Sequence, residues 1–138
     1  MRFLTIISLL FFSLINSSTK NVAIKPGELN GTWVPVKQEF AGKQVPPAAF
    51  QKQKLVVSDS TYTFTAESVD KGVLKYDNGK MDIYGKEGVN AGKHFTAIYK
   101  AESGQVTICY NLKGDNYPEA FETKPNTLLF LSVFKKAE

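Results

Sequence analysis

The chain has 138 residues, 43% of them hydrophobic, 12% aromatic and 22% charged, with a formal net charge of +4, one Cys and one His. This length suits one domain, and the composition excludes a multidomain enzyme, a disordered tail, a collagen-like repeat and a disulfide-stapled miniprotein, since one Cys has no internal partner.

The hydrophobic content is unevenly spread. Residues 1–18, MRFLTIISLLFFSLINSS, hold 11 hydrophobic residues and a single charge, Arg2. A positive start, an apolar run and an exit of small polar residues are what a secretory signal peptide requires. The sequence therefore predicts export to the periplasm or the extracellular space, with cleavage between Ser17 and Lys20. The apolar run is shorter than the ~20 residues that span a bilayer, so no stable membrane span is expected after processing. No Cys lies near the exit to carry a lipid. The remainder has no Arg and a net charge of +3, carried by scattered Lys. Bidentate readout of phosphate and bases is mainly Arg chemistry, so nucleic-acid binding is not expected.

After a linker-like extension over 19–27, Asn30-Gly31 makes a turn into a first strand, GTWVPVKQEF (31–40). Gly42 then turns the chain, and Pro46-Pro47 opens a short helical turn through Ala48 to Gln51. From there the hydrophobic period is two. KLVVS (54–58) and TYTFTAE (61–67) form a hairpin about Asp59-Ser60, with Tyr62 and Phe64 on one face and Thr61, Thr63 and Thr65 on the other. GVLKYD (72–77) and KMDIYG (80–85) flank Asn78-Gly79, residues suited to a two-residue hairpin turn. A Gly-rich loop leads to KHFTAIYKA (93–101), then Ser103-Gly104, QVTICYN (105–111), a long loop and TLLFLSVFKK (127–136). Eight short strands with tight turns leave no room for crossover helices. The expectation is an all-β, eight-stranded antiparallel barrel spanning 28–138, with a short helical turn after its first strand. Closure would remove aggregation-prone edges, and eight strands enclose an interior either filled by side chains or able to hold one small ligand.

Several ordered motifs extend this reading: Leu29-Asn30-Gly31-Thr32-Trp33, Ala41-Gly42-Lys43, Ile98-Tyr99, Val106-Thr107-Ile108-Cys109 and Tyr117-Pro118-Glu119-Ala120-Phe121. In this order the chain from about Glu28 to Lys136 resembles a family of small exported bacterial proteins of unknown function, abundant in planctomycetes and described as lipocalin-like. The chain departs from the family where Ala41 replaces an acidic residue, Tyr117 an Arg, and Lys135-Lys136 a terminal Arg. The resemblance implies a calycin-type barrel closed at one end by Gly31 and Trp33, with the stem of Lys135 or Lys136 across the indole.

Reactive groups are sparse. Cys109 reads as a packing residue, and His94, on the face opposite Phe95, as a surface side chain. A Cys109–His94 dyad would lack an orienting third group. A lone His without Cys/His spacing makes no metal site. Gly85, Gly88, Gly92 and Lys93 fail the phosphate-loop pattern and read as a rim loop. The pairs Asp70/Asp77 and Glu119/Glu122 show no convergence on a cleft. No enzymatic activity, cofactor or metal is expected, and a monomer or weak oligomer is.

The aromatic residues carry the functional expectation. Tyr62, Phe64, Tyr99 and Tyr110 are the candidate lining of an apolar cavity with hydroxyl handles; a pocket open opposite Trp33, on the order of several hundred cubic ångströms, would mark a ligand binder. Such a barrel would bind a small, partly hydrophobic ligand. The alternative is a filled interior with an exposed apolar patch, used as a structural or protein-interaction barrel of the cell envelope: an accessory, inhibitor or immunity-like protein.

Overall fold

The computed structural model describes residues 27–138. The predicted signal segment and nearly all of the extension lie outside the described residues. Nine strands follow in order: β1 (Gly31–Phe40), β2 (Lys43–Gln44), β3 (Lys54–Ser58), β4 (Thr61–Thr65), β5 (Val69–Asp77), β6 (Lys80–Glu87), β7 (His94–Glu102), β8 (Gln105–Asn111) and β9 (Leu129–Lys136). Each consecutive pair from β3 to β9 is antiparallel, β1 pairs with β3, and β1 also pairs with β9. That last pairing closes eight strands into a barrel. The two-residue β2 is only a hairpin on the end of β1, and a 3-10 turn, Pro47–Ala49, follows it. This is the expected fold, consistent with a calycin-type barrel.

The two ends of the barrel differ because their connections differ. At one end the turns Asp59-Ser60, Asn78-Gly79 and Ser103-Gly104 join the strands directly. Asn78 and Gly79 have φ of 54° and 82°, the left-handed pair that matches the twist of a hairpin. Residues 27–30 plug this end. Leu29 is buried and its carbonyl accepts the Trp33 indole N–H at 2.8 Å, while Asn30 exchanges hydrogen bonds with Asp59. The opposite end carries the long connections 41–53, 88–93 and 112–128.

The interior follows from alternation. Leu55, Val57, Tyr62, Leu74, Met81, Ile83, Ala97, Tyr99, Val106, Ile108 and Phe134 face inward and form one core with Trp33 and Leu29. The ladders carry two register shifts, one in the β5–β6 pair between Lys71 and Gly72 and one in the β1–β9 pair that resets the pattern of β1. A bulge between Pro35 and Lys37 in the β1–β9 ladder leaves Trp33 and Pro35 opposite Lys136 and Phe134 but puts Gln38 and Phe40 opposite Ser132 and Phe130. The extra residue turns Gln38 inward, where a strict period of two would have put Lys37.

Strand β5 begins at Val69, three residues before its expected start at Gly72, and β9 at Leu129, two residues after its expected start. Gly72 is no boundary. It lies beneath Tyr62, where a Cβ would come within 2.7 Å of Cε1 of that ring and still closer to the Tyr84 carbonyl.

The 112–128 connection packs on the outside of the wall. Thr96 Oγ1 donates to the Asn116 carbonyl, Gly42 N–H donates to Thr123 Oγ1, and Cys109 Sγ lies 3.6 Å from the Glu122 carbonyl. These contacts explain why Thr96 and Cys109, though turned outward, are buried.

Candidate functional site

The interior is partly hollow. A cavity of about 170 Å³ lies inside the barrel, and its lining is overwhelmingly apolar. Its deep wall is built from buried Leu55, Val57, Leu74, Met81, Ile83 and Ile108, above Trp33. Phe64, Phe95, Tyr110, Leu112 and Phe130, all partly exposed, line it at the long-loop end. The more exposed lining residues thus lie at the end opposite Trp33. The volume is smaller than the roughly several hundred cubic ångströms that would mark a roomy binder because aromatic rings fill much of the bore: Tyr110 stacks on Phe130 at 5.7 Å, and Phe130 packs on Phe40 at 6.5 Å.

Of the four candidate lining residues, Tyr62, Phe64 and Tyr110 face this cavity and Tyr99 does not. Tyr99 lies in the closed-end half of β7, edge-on to Tyr76 at 5.7 Å. Alternation put it on the inward face, where it joins the core, but it is not among the residues that border the cavity. Its hydroxyl is buried without a hydrogen-bond partner among the described residues. Burial pushes this phenol above its ordinary pKa, and the Gly79 backbone, close but outside hydrogen-bond geometry, offsets the rise only in part. Burial likewise raises Tyr62, with a contribution from the Asp70 charge. Burial also raises Tyr110, with smaller contributions from Tyr62 and Cys109. Both cavity phenols stay neutral at physiological pH and serve as hydrogen-bonding groups.

At the closed end Trp33 is covered by Lys136, whose Nζ lies 5.5 Å from the ring centroid. Lys135, the candidate for this role, is the register partner of Val34 and Gln105 and sits on the other face of β9. Gly31 has φ of 135°, and the Lys136 stem passes beside it.

Three polar cavity residues were not anticipated. Gln38 is buried and donates through Nε2 to Gln53 Oε1 at 2.7 Å and Ser132 Oγ at 3.3 Å. Asp70, opposite Phe64 in the β4–β5 ladder, is 6% exposed and points into the cavity. Asn90 lines the rim and donates its backbone N–H to Asp70 Oδ1 at 3.2 Å. This bond draws the 88–93 loop across the mouth. The loop comes so close that a Cβ on Gly88, whose φ is 89°, would lie 2.4 Å from Asp70 Oδ1. The Gly-rich connection is thus a rim loop, as read, and Gly88 permits its contact with the barrel.

The remaining candidates lie outside the wall. Asp77, at the far end of β5 from Asp70, is exposed, as are Glu119 and Glu122. His94 Nε2 bonds Asp82 Oδ1 at 2.7 Å, and its ring stacks on Tyr84 at 4.7 Å. Cys109 engages Glu122 instead, and burial pushes its thiol up to about 11. Each half of the supposed dyad therefore has a different partner. Among the described residues no group of three or more His, Cys, Asp or Glu is placed to hold a metal ion. A wider depression of about 630 Å³ runs over the outer face between Asp59, Lys75, Lys80 and Tyr117. It is open and charged, and would desolvate little of a ligand.

No protein-family model matches the chain, and no curated protein or solved structure matches it significantly either. What the structure itself supports is the eight-stranded antiparallel barrel, consistent with a calycin-type fold. No helix among the described residues is long and apolar enough to cross a membrane.

Proposed function

We propose that the protein is an exported, non-enzymatic barrel that binds one small, partly hydrophobic molecule in its interior. The observation that carries this reading is the 170 Å³ apolar cavity, with its more exposed lining at the long-loop end and a few polar groups. An apolar cavity of about 150 Å³ is large enough for benzene, so the occupant is a single ring or a short branched chain. Desolvation against Leu55, Ile83 and Ile108 supplies the affinity, and the phenols of Tyr62 and Tyr110 orient the polar end. For so small a ligand the dissociation constant falls on the order of micromolar to millimolar. Export rests on the first 18 residues and on the family resemblance, which also supports a periplasmic or extracellular setting.

The competing reading is a protein-interaction barrel. It is favoured by exposed Phe40, Val69, Val89 and Leu128, all at the long-loop rim, where a partner would bury them. Native mass spectrometry of the protein purified from its own cells separates the two. A reproducible adduct of one small molecule supports the binder, whereas an empty chain recovered with a stoichiometric protein partner overturns it.

A further inference from the structure

Asp70 is the unusual member of the cavity. The pleat turns it inward opposite Phe64, leaving it 6% exposed among apolar side chains. Its Oδ1 accepts the Asn90 N–H, while Oδ2, with no side-chain partner in an ion pair, is not sealed off and keeps a little accessible area toward the hollow. No ion pair among the described residues involves Asp70, and no Lys lines the cavity. The neighbouring Lys71 is exposed, on the opposite face of β5. A carboxylate removed from water without a counter-charge is costly, and such groups in folded proteins are normally paired. Here the missing partner has a place to sit, since the free oxygen belongs to a residue that lines the hollow.

We propose that the molecule held in the barrel is a small organic amine bound as its ammonium cation, with the charged head on Asp70 and the apolar body in the cavity. This deepens the binding reading above and rests on it. The surroundings suit such a head group in three ways. The rings of Phe64, Phe95, Tyr110 and Phe130 line the same end of the hollow, and aromatic rings of this kind attract a cation placed over a face. The phenol oxygens of Tyr62 and Tyr110 and the Gln38 carboxamide can accept the remaining ammonium hydrogens. An anionic ligand would meet Asp70 with no compensating Lys. A divalent metal would find one carboxylate where such ions take several oxygen ligands, commonly carboxylates. Asn90 places the rim loop on the same carboxylate, so an amine bound at Oδ2 would lie directly beneath that loop.

The test compares three probes of one shape, benzylamine, benzyl alcohol and benzoate, titrated into the full chain and followed by calorimetry and by amide shifts. The expected order is benzylamine at least tenfold tighter than benzyl alcohol, on the scale of a charge-assisted hydrogen bond, with benzoate weakest. Asp70→Asn keeps an oxygen for the Asn90 N–H and is expected to weaken benzylamine about 10- to 100-fold. Benzyl alcohol binding should be nearly unchanged, which also reports that the cavity is intact. Equal binding of benzylamine and benzyl alcohol by the unaltered protein overturns the proposal while leaving an apolar binder. So does an amine preference that survives Asp70→Asn. Failure of all three probes, with an empty chain in native mass spectrometry, overturns the binding reading itself. The comparison on the unaltered protein decides the matter even where Asp70→Asn fails to fold.

Discussion

Lys136 lies over the Trp33 indole because the two residues are register partners across the β1–β9 seam, so the barrel's closing ladder also covers its closed end. The same ring donates its N–H to Leu29, tying the plug to the wall. Trp33→Ala is predicted to cost about 3–5 kcal/mol through loss of a buried aromatic. Lys136→Ala should cost about 0.5–1 kcal/mol, the scale of an exposed cation over a ring. Lys135→Ala should stay within about 0.5 kcal/mol of neutral. Urea unfolding of the three variants gives the order; a larger loss for Lys135 than for Lys136 would refute the assignment.

Filling the cavity should separate binding from stability. Ile108→Phe places a larger side chain against the hollow and is predicted to change unfolding free energy by no more than about 1–2 kcal/mol, the ordinary cost of a tight fit. Binding of any interior ligand should fall at least tenfold. Retained affinity in a folded Ile108→Phe protein would place the ligand elsewhere.

The orphaned hydroxyl of Tyr99 makes an unusual prediction for a core substitution. Tyr99→Phe keeps the ring against Tyr76 and removes a buried group that has no partner among the described residues. Since an unsatisfied buried polar group costs about 1–3 kcal/mol, the variant should match or exceed the parent in melting temperature. A clear loss of stability would mean that the hydroxyl is satisfied in solution.

These positions also show what could be read from the sequence. Alternation identified the inward faces of β4, β7 and β8, and Asn78-Gly79 fixed a hairpin, because both are local properties. A period of two gives the face of a residue but not which inward side chains border a hollow, so Tyr99, which packs on Tyr76, was grouped with Tyr62, Phe64 and Tyr110. Parity decides between Lys135 and Lys136 only once the register with Trp33 is known. Asp70 was missed because Gly72 looked like a strand start. Carrying the alternation Tyr76, Leu74, Gly72 two residues further back would have turned Asp70 inward. Nothing local announces that the 112–128 connection covers Thr96 and Cys109.

On the outer wall, Tyr117 donates its hydroxyl to Asp82 Oδ2 at 2.5 Å. Partial burial pushes the Asp82 carboxyl up, but hydrogen bonds from Tyr117 and His94 and the charges of His94 and Lys75 outweigh it. The carboxyl is therefore held below its ordinary value. A depressed carboxylate pKa stabilises the fold above the unfolded value of about 4, and the contribution disappears as pH falls through the folded value. Tyr117→Phe is predicted to cost about 1 kcal/mol at pH 7. Asp82→Asn should flatten the loss of stability below about pH 4. Denaturant titrations from pH 7 to about pH 2 measure both; an unchanged acid limb in Asp82→Asn would contradict the linkage.

Cys109 should be inert in the native protein. Its thiol is buried beneath the 112–128 connection and pushed up to about 11 by that burial. Alkylation at pH 8 is predicted to proceed only as fast as the segment or the whole fold opens, and to become rapid in denaturant. Fast labelling without denaturant would show that the covering segment stands away from the wall.

The β1–β9 seam has a consequence for how the chain reaches its native state. β4 to β8 can zip up hairpin by hairpin, each pairing with the strand just before it. β1 must hold one edge open until β9 arrives, at the other end of the described sequence. Contact order this high places folding in the slower range of small domains. It also leaves an adhesive edge on a nascent chain for as long as closure takes. The single bulge in the barrel's first strand, between Pro35 and Lys37, lies on that waiting edge. There it kinks the template and discourages a foreign strand from taking the place reserved for Leu129–Lys136.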